Sequence, residues 1–175
     1  MPEALLVIDL QNDLCSGGAL EVPQGDAIVP LVNRLLEQAP IRVLTADWHP
    51  PGHASFAASH AGRAPFEPEV VGGMAQTLWP VHCVQGSRGV AFHPNLNSDP
   101  ADLILRKGFR AELDSYSAFF ENDRITSTGL DGYLRSHGVE TVAIVGLAFD
   151  SCVAWSALDA ARLGFGTRVI GSAPR

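Results

Sequence analysis

"TVAIVGLAFDSC", Thr141 to Cys152, is the stretch on which the fold turns. Thr141 to Ala148 is a short apolar run without alternation, which suits a strand covered on both faces. It passes directly into a helical pattern from about Asp150 to Leu163. Working outward, "ALLVIDL" (Ala4 to Leu10) reads as a strand of the same kind. A helix follows from about Asp26 to Gln38, with Ile28, Leu31, Val32, Leu35 and Leu36 on one face. Ile41 to Ala46, Leu103 to Arg106 and Thr167 to Ile170 read as further strands, and Gly129 to His137 as a short helix. Strands alternating with helices mean crossover connections and a mainly parallel sheet between helical layers, a three-layer α/β/α class.

In such a sheet, ligands bind at the carboxyl ends of the strands. Asp9, Asp47 with His49, Lys107 and Cys152 stand at or just past four of those ends. In an extended strand, residues i and i+2 project to the same side, so Asp47 and His49 belong together. Pro50 and Pro51 then forbid the strand to continue. A carboxylate beside an imidazole is either a surface ion pair or two legs of a metal site, and this spacing alone leaves both open. Cys152, within the first turn after Asp150, is placed where helix N–H groups lower a thiol's pKa. A carboxylate, a lysine and a cysteine on neighbouring strand ends make a nucleophile with its base. The segment between strands two and three runs for about 55 Gly-, Pro- and His-rich residues without periodicity, a length that is usually functional.

Composition narrows the classes. The 175 residues, 46% of them apolar, suit one globular domain spanning 1–175. Nineteen acidic against twelve basic residues, a net charge of -7, argue against nucleic acid or an anionic membrane as partner. No apolar run reaches transmembrane length, and "MPEALLVIDL" lacks the basic start of a signal peptide. Three widely spaced cysteines do not form a disulfide framework, so a reducing cytoplasm is expected.

"DLQNDLCSGGAL" (from Asp9), "DWHPPGHASFA" (from Asp47), "WPVHCVQGS" (from Trp79), "RKGFRAELDSYSAFFEND" (from Arg106) and "IVGLAFDSCV" (to Val153) together resemble the nicotinamidases. These belong to the isochorismatase-like cysteine hydrolases. The resemblance runs from Leu5 to about Arg168 and implies that family's fold. It implies a triad of Asp9, Lys107 and Cys152, with an oxyanion hole from the backbone N–H groups of Ala148 and Cys152. It also implies a cis peptide bond between Leu147 and Ala148. Asp47, His49 and His82 map to the ligands of a divalent ion: zinc, with iron(II) or manganese as alternatives. His53 lies close by, where some relatives carry a further ligand. Trp79, Tyr116 and Leu14 correspond to the substrate pocket, its aromatic rings expected to sandwich a flat ring. Leu14 departs from the phenylalanine that many relatives have.

The implied reaction is hydrolysis of nicotinamide, or an analogue such as pyrazinamide, to the acid and ammonia in NAD salvage. The partners expected are that small molecule and a second copy of the chain in a homo-oligomer. A cysteine hydrolase of the same fold acting on another small amide or on isochorismate is the alternative. The chain reads "VIGSAPR" where relatives continue with a helix and a last strand. That departure leaves open a third reading, an inactive form acting as a binding partner.

Overall fold

The computed structural model describes residues 2–171. Among them, five strands form one parallel sheet: β1 (Glu3–Ile8), β2 (Ile41–Asp47), β5 (Leu103–Lys107), β6 (Thr141–Gly146) and β7 (Gly166–Val169). Their order is β5-β2-β1-β6-β7. From β1 the chain moves outward through β2 to β5, then returns to the other side of β1 for β6 and β7. The topological switch point is therefore beside β1, where a ligand crevice is expected.

The strands read as unbroken apolar runs because both sheet faces are covered. Leu5 and Val7 of β1 pack with Val29, Val32 and Leu36 of α1 (Val29–Gln38). Ala4, Leu6 and Ile8 pack the other way, with Leu130 and Leu134 of α2 (Leu130–Ser136) and Ala160 of α3 (Ala154–Arg162). Each such large aliphatic side chain contributes about 1.5–3 kcal/mol by leaving water. Pro30 sits in the first turn of α1, where its missing N–H costs nothing, and Pro40 forces Ala39 out of the helical region at the other end.

The expected boundaries shift for local reasons. β1 stops at Ile8 because Asp9 turns into the left-handed region (φ 49°). The last helix does not start at Asp150: residues Phe149–Val153 form a π-helical turn, and α3 follows from Ala154. The long segment contains an unforeseen antiparallel hairpin, β3 (Pro68–Val71) and β4 (Met74–Thr77). Its turn is Gly72-Gly73, both at positive φ, as a tight primed hairpin demands. That Gly-Gly pair between two short runs was the available signal.

The expected cis bond is absent: every peptide bond among the described residues is trans, Leu147–Ala148 included. A non-proline cis bond costs about 3–4 kcal/mol, and the chain leaves β6 without it. Gly146, the last residue of β6, stands at φ 148° with its Cα so close to β1 that a Cβ would lie 2.2 Å from the Ile8 carbonyl oxygen. Gly138 is also at positive φ (67°), but a Cβ there would meet nothing within 4 Å. We expect Gly138→Ala to cost about 1–2 kcal/mol in urea unfolding, the strain of a left-handed residue alone. Gly146→Ala should cost clearly more, because backbone must move as well; equal losses would show that the close approach to β1 is not a constraint.

Candidate active site

Four strand ends converge on one buried ammonium. Asp47 and Lys107 are register partners at the ends of β2 and β5. The Lys107 Nζ lies 2.8 Å from Asp9 Oδ2 and donates to Asp47 Oδ1, to the Ser115 carbonyl (3.0 Å) and towards Cys152 Sγ (3.7 Å). Lys107 is 1% exposed and Asp9 0%, so these charges answer to one another and not to water. Burial would drive the Lys107 proton off, but the two carboxylates outweigh it and hold the amine well above its ordinary pKa. Burial also opposes charge on Asp47, yet Lys107, His82 and His49 pull its carboxyl far below the usual range. Asp9 goes the other way: burial and then Asp47 outweigh Lys107, and its pKa rises.

Cys152 reverses the expectation of a lowered thiol pKa. Burial pushes the thiol well above its ordinary value, Asp9 and Asp47 add to this, and Lys107 offsets only part. One ammonium already serves two carboxylates, which leaves too little positive field for a standing thiolate. The turn carrying the thiol is held by Ser156, whose hydroxyl donates to the Cys152 carbonyl at 2.6 Å and accepts the Ala118 N–H at 2.9 Å. Ala148 precedes the turn, and its carbonyl accepts the N–H groups of Ser151 and Val153.

Thr45 was not legible as a site residue, because a threonine in an apolar strand reads as packing. Its hydroxyl donates to Asp9 Oδ1 (2.6 Å) and accepts the Asp9 N–H (3.2 Å). This clasp holds a non-glycine residue in the left-handed region and turns its other oxygen to Lys107.

Asp47 Oδ2 also faces two imidazoles, lying 3.8 Å from the Nε2 of His49 and of His82. Ligand atoms of all three residues lie within 4.8 Å of one another. His49 Nδ1 is 2.8 Å from the Gly108 carbonyl, and His82 Nδ1 is 2.7 Å from that of Pro80. A carbonyl only accepts, so both Nδ1 atoms carry the hydrogen and both Nε2 lone pairs are free for a ligand. Burial brings the His49 pKa down to about 4; for His82, burial lowers it but the Asp47 carboxylate more than compensates. Gly108 is required at its place: at φ 65°, a Cβ would sit 2.6 Å from His49 Cε1.

His53 is also buried but groups with His49 and Asp114, not with Asp47 and His82. Its Nδ1 accepts the Ser55 N–H (3.2 Å) and pairs with the Ser55 hydroxyl (2.7 Å). Its Nε2 has no hydrogen-bond partner among the described residues.

Cys152 and the Asp47–His49–His82 group open on one cavity of about 550 Å³, with Leu14, Trp79, Tyr116 and Ala148 among its walls. The Trp79 and Tyr116 rings meet at 79°, centroids 6.2 Å apart, with Trp79 Nε1 donating to the Tyr116 hydroxyl (3.1 Å). They make a corner and not the expected pair of parallel walls. Asp114 and Phe149 also line the cavity and carried no signal in the sequence. Among the described residues, no helix is long and apolar enough to cross a membrane.

The isochorismatase domain model matches residues 3–173. The nicotinamidase of Acinetobacter baylyi is 50% identical over 167 residues, which cover 95% of this chain and 78% of the relative. Among solved structures, the Acinetobacter baumanii nicotinamidase/pyrazinamidase superposes with a TM-score of 0.94 at 52% identity, covering 96% of this chain and 81% of that one. The pyrazinamidase of Pyrococcus horikoshii, in complex with zinc, gives 0.76 at 36% identity, covering 97% and 83%.

The buried cluster predicts a pH-dependent defect. In metal-free Lys107→Ala protein, two carboxylates stay buried without their cation, and we expect a loss of about 3–5 kcal/mol at pH 7. Both folded-state pKa values then lie above the unfolded value of about 3.9. The penalty is present above those raised values and is relieved as pH falls through them. Urea unfolding at pH 7 and pH 5 should show a smaller deficit at pH 5. A deficit independent of pH would mean that lost packing, not unpaired charge, is the cause.

Proposed function

Because the chain belongs to the isochorismatase family, and within it to the nicotinamidases, we propose that it hydrolyses nicotinamide to nicotinate and ammonia, a step of NAD salvage, with Cys152 as nucleophile. One observation carries the reading: Cys152, backed by the buried Lys107 and Asp9, and the Asp47–His49–His82 donors line the same cavity. One group can then attack a carboxamide while the other fixes the ring that bears it.

The proton inventory follows from the cluster. Both the Asp9 and the Cys152 pKa are raised by burial, so the resting thiol is neutral. Moving its proton to Asp9 as Sγ attacks the carboxamide carbon leaves the charge of the buried cluster unchanged, and Lys107 stays an ammonium near the sulfur. The oxyanion is assigned to the N–H groups of Ala148 and Cys152, each such donor being worth about 10²–10³ in rate. Asp9 gives its proton to the departing nitrogen, which leaves as ammonia and leaves a thioester. It next takes a proton from water, whose hydroxide attacks the acyl carbon. The sulfur departs and recovers that proton.

The donor set of one carboxylate oxygen and two imidazole nitrogens fits a divalent ion, and a relative is solved with zinc. When bound, such an ion supplies a Lewis-acid contact for the pyridine nitrogen, orienting the ring. Trp79, Tyr116 and Leu14 give that ring apolar walls.

Ammonia release from nicotinamide tests the assignment. Cys152→Ala should reduce it by at least about 10³-fold while circular dichroism stays unchanged. Cys15→Ala and Cys83→Ala, whose thiols do not line the cavity, should keep most of it; equal loss in all three would sink the nucleophile. His49→Ala should lose bound metal and turnover together. Full turnover in a metal-free His49→Ala protein would remove the ion from the reaction.

A further inference from the structure

The three metal-donor residues come from two segments, residues 47–49 and the loop around His82, and neither segment holds its own shape. Asp47 ends a strand, and His49 lies beyond it, joined to the loop by the His49 N–H to the Cys83 carbonyl (3.0 Å) and the Gln85 N–H to the His49 carbonyl (2.8 Å). Cys83, next to His82, is in the left-handed region at φ 46°, which a non-glycine residue keeps only when its surroundings impose it.

A third segment, following β1, grips both. The Gln11 side-chain amide accepts the Asp47 N–H at Oε1 (2.8 Å) and donates from Nε2 to the carbonyls of Asp47 (2.9 Å) and Val90 (2.8 Å). Two residues on, the Asp13 Oδ2 accepts the Cys83 N–H at 2.7 Å, and its Oδ1 accepts the Ala19 N–H at 3.3 Å. Backbone bonds bind the same strap to the far side of the His82 loop, from the Asn12 N–H to the Ala91 carbonyl and from the Asp13 N–H to that of Gly89. Gly89 leaves the room: a Cβ there would lie 2.0 Å from Asp13 Oδ2. Neither Gln11 nor Asp13 is among the donor groups.

We propose that Gln11 and Asp13 are positioning residues that set the affinity and geometry of the metal site, Gln11 by fixing Asp47 and Asp13 by fixing the residue beside His82. This rests on the metal reading above. Hydrogen bonds of this kind aim a donor before the ion arrives, and losing one lets the donor group spread while the fold stands.

The test is zinc affinity of the full-length chain, by competition with a chromophoric chelator, with the cobalt(II) absorption spectrum as a report on geometry. Asp13→Ala removes the acceptor and should weaken zinc binding by about tenfold or more, as should Gly89→Ala, which displaces the carboxylate without touching a donor. Asp13→Asn keeps an oxygen for the Cys83 N–H and should stay within about threefold of wild type. Gln11→Ala should likewise weaken zinc and alter the cobalt spectrum. Folding is monitored by the thermal midpoint of the metal-free proteins, which a purely structural residue would lower with zinc affinity unchanged. Wild-type zinc affinity in folded Asp13→Ala or Gly89→Ala overturns the proposal, as does a loss in Asp13→Asn equal to that in Asp13→Ala. If Asp13→Ala does not fold, Gly89→Ala and Asp13→Asn decide by the same limits. His49→Ala separates the two levels. If zinc binds equally well without His49, the metal reading itself fails and the strap's role with it; if only His49→Ala loses zinc, the strap alone is wrong.

Discussion

A single ammonium, Lys107 Nζ, sits in the dry interior between Asp9 and Asp47 with Cys152 at its edge. Everything near it is constrained by that charge count. Three parallel strands must end at the same level to bring these groups together, and β1, β2 and β5 do so beside the switch point of the sheet. The Ser115 carbonyl takes another of the ammonium's hydrogens, which fastens the loop that carries Tyr116 to the cavity wall. Asp47 faces both ways, one oxygen to the lysine and the other to two imidazoles, so the two halves of the site share a residue.

Around this centre, polar groups of the strand ends are met by side chains. Thr45 closes on Asp9, Gln11 on Asp47, and Ser156 on Cys152. These contacts explain why buried polar residues tolerated in the apolar core cluster at one end of the sheet. Thr45 likewise holds Asp9, and Asp13 holds Cys83, in the left-handed region at a site-bearing turn.

The sheet was legible because its strands are buried on both faces and so read as unbroken apolar runs. The principal site residues were legible because Asp9, Asp47, Lys107 and Cys152 end such runs, and the resemblance added His82. What was not legible depends on contacts between distant segments. Thr45 and Gln11 read as ordinary strand and loop residues until the chain is folded, when each meets a partner 36 residues away. The direction of the Cys152 pKa lies outside local pattern for a related reason. A helix N-terminus next to a lysine predicts a lowered value, but the number of carboxylates competing for that lysine is a tertiary fact. The hairpin at Gly72-Gly73 is different: its turn chemistry is local, a Gly-Gly pair between two short runs.

The buried ammonium is already spent on two carboxylates, so the resting thiol is neutral. The direct measurement is the rate of Cys152 alkylation by iodoacetamide as a function of pH in metal-free wild-type protein, with the modified residue located by mass spectrometry. A slow rate is expected at pH 7, climbing only above the ordinary thiol value of about 8.5. A rate already at its plateau at pH 7 would mean a standing thiolate, and would contradict the charge count on which the site is built.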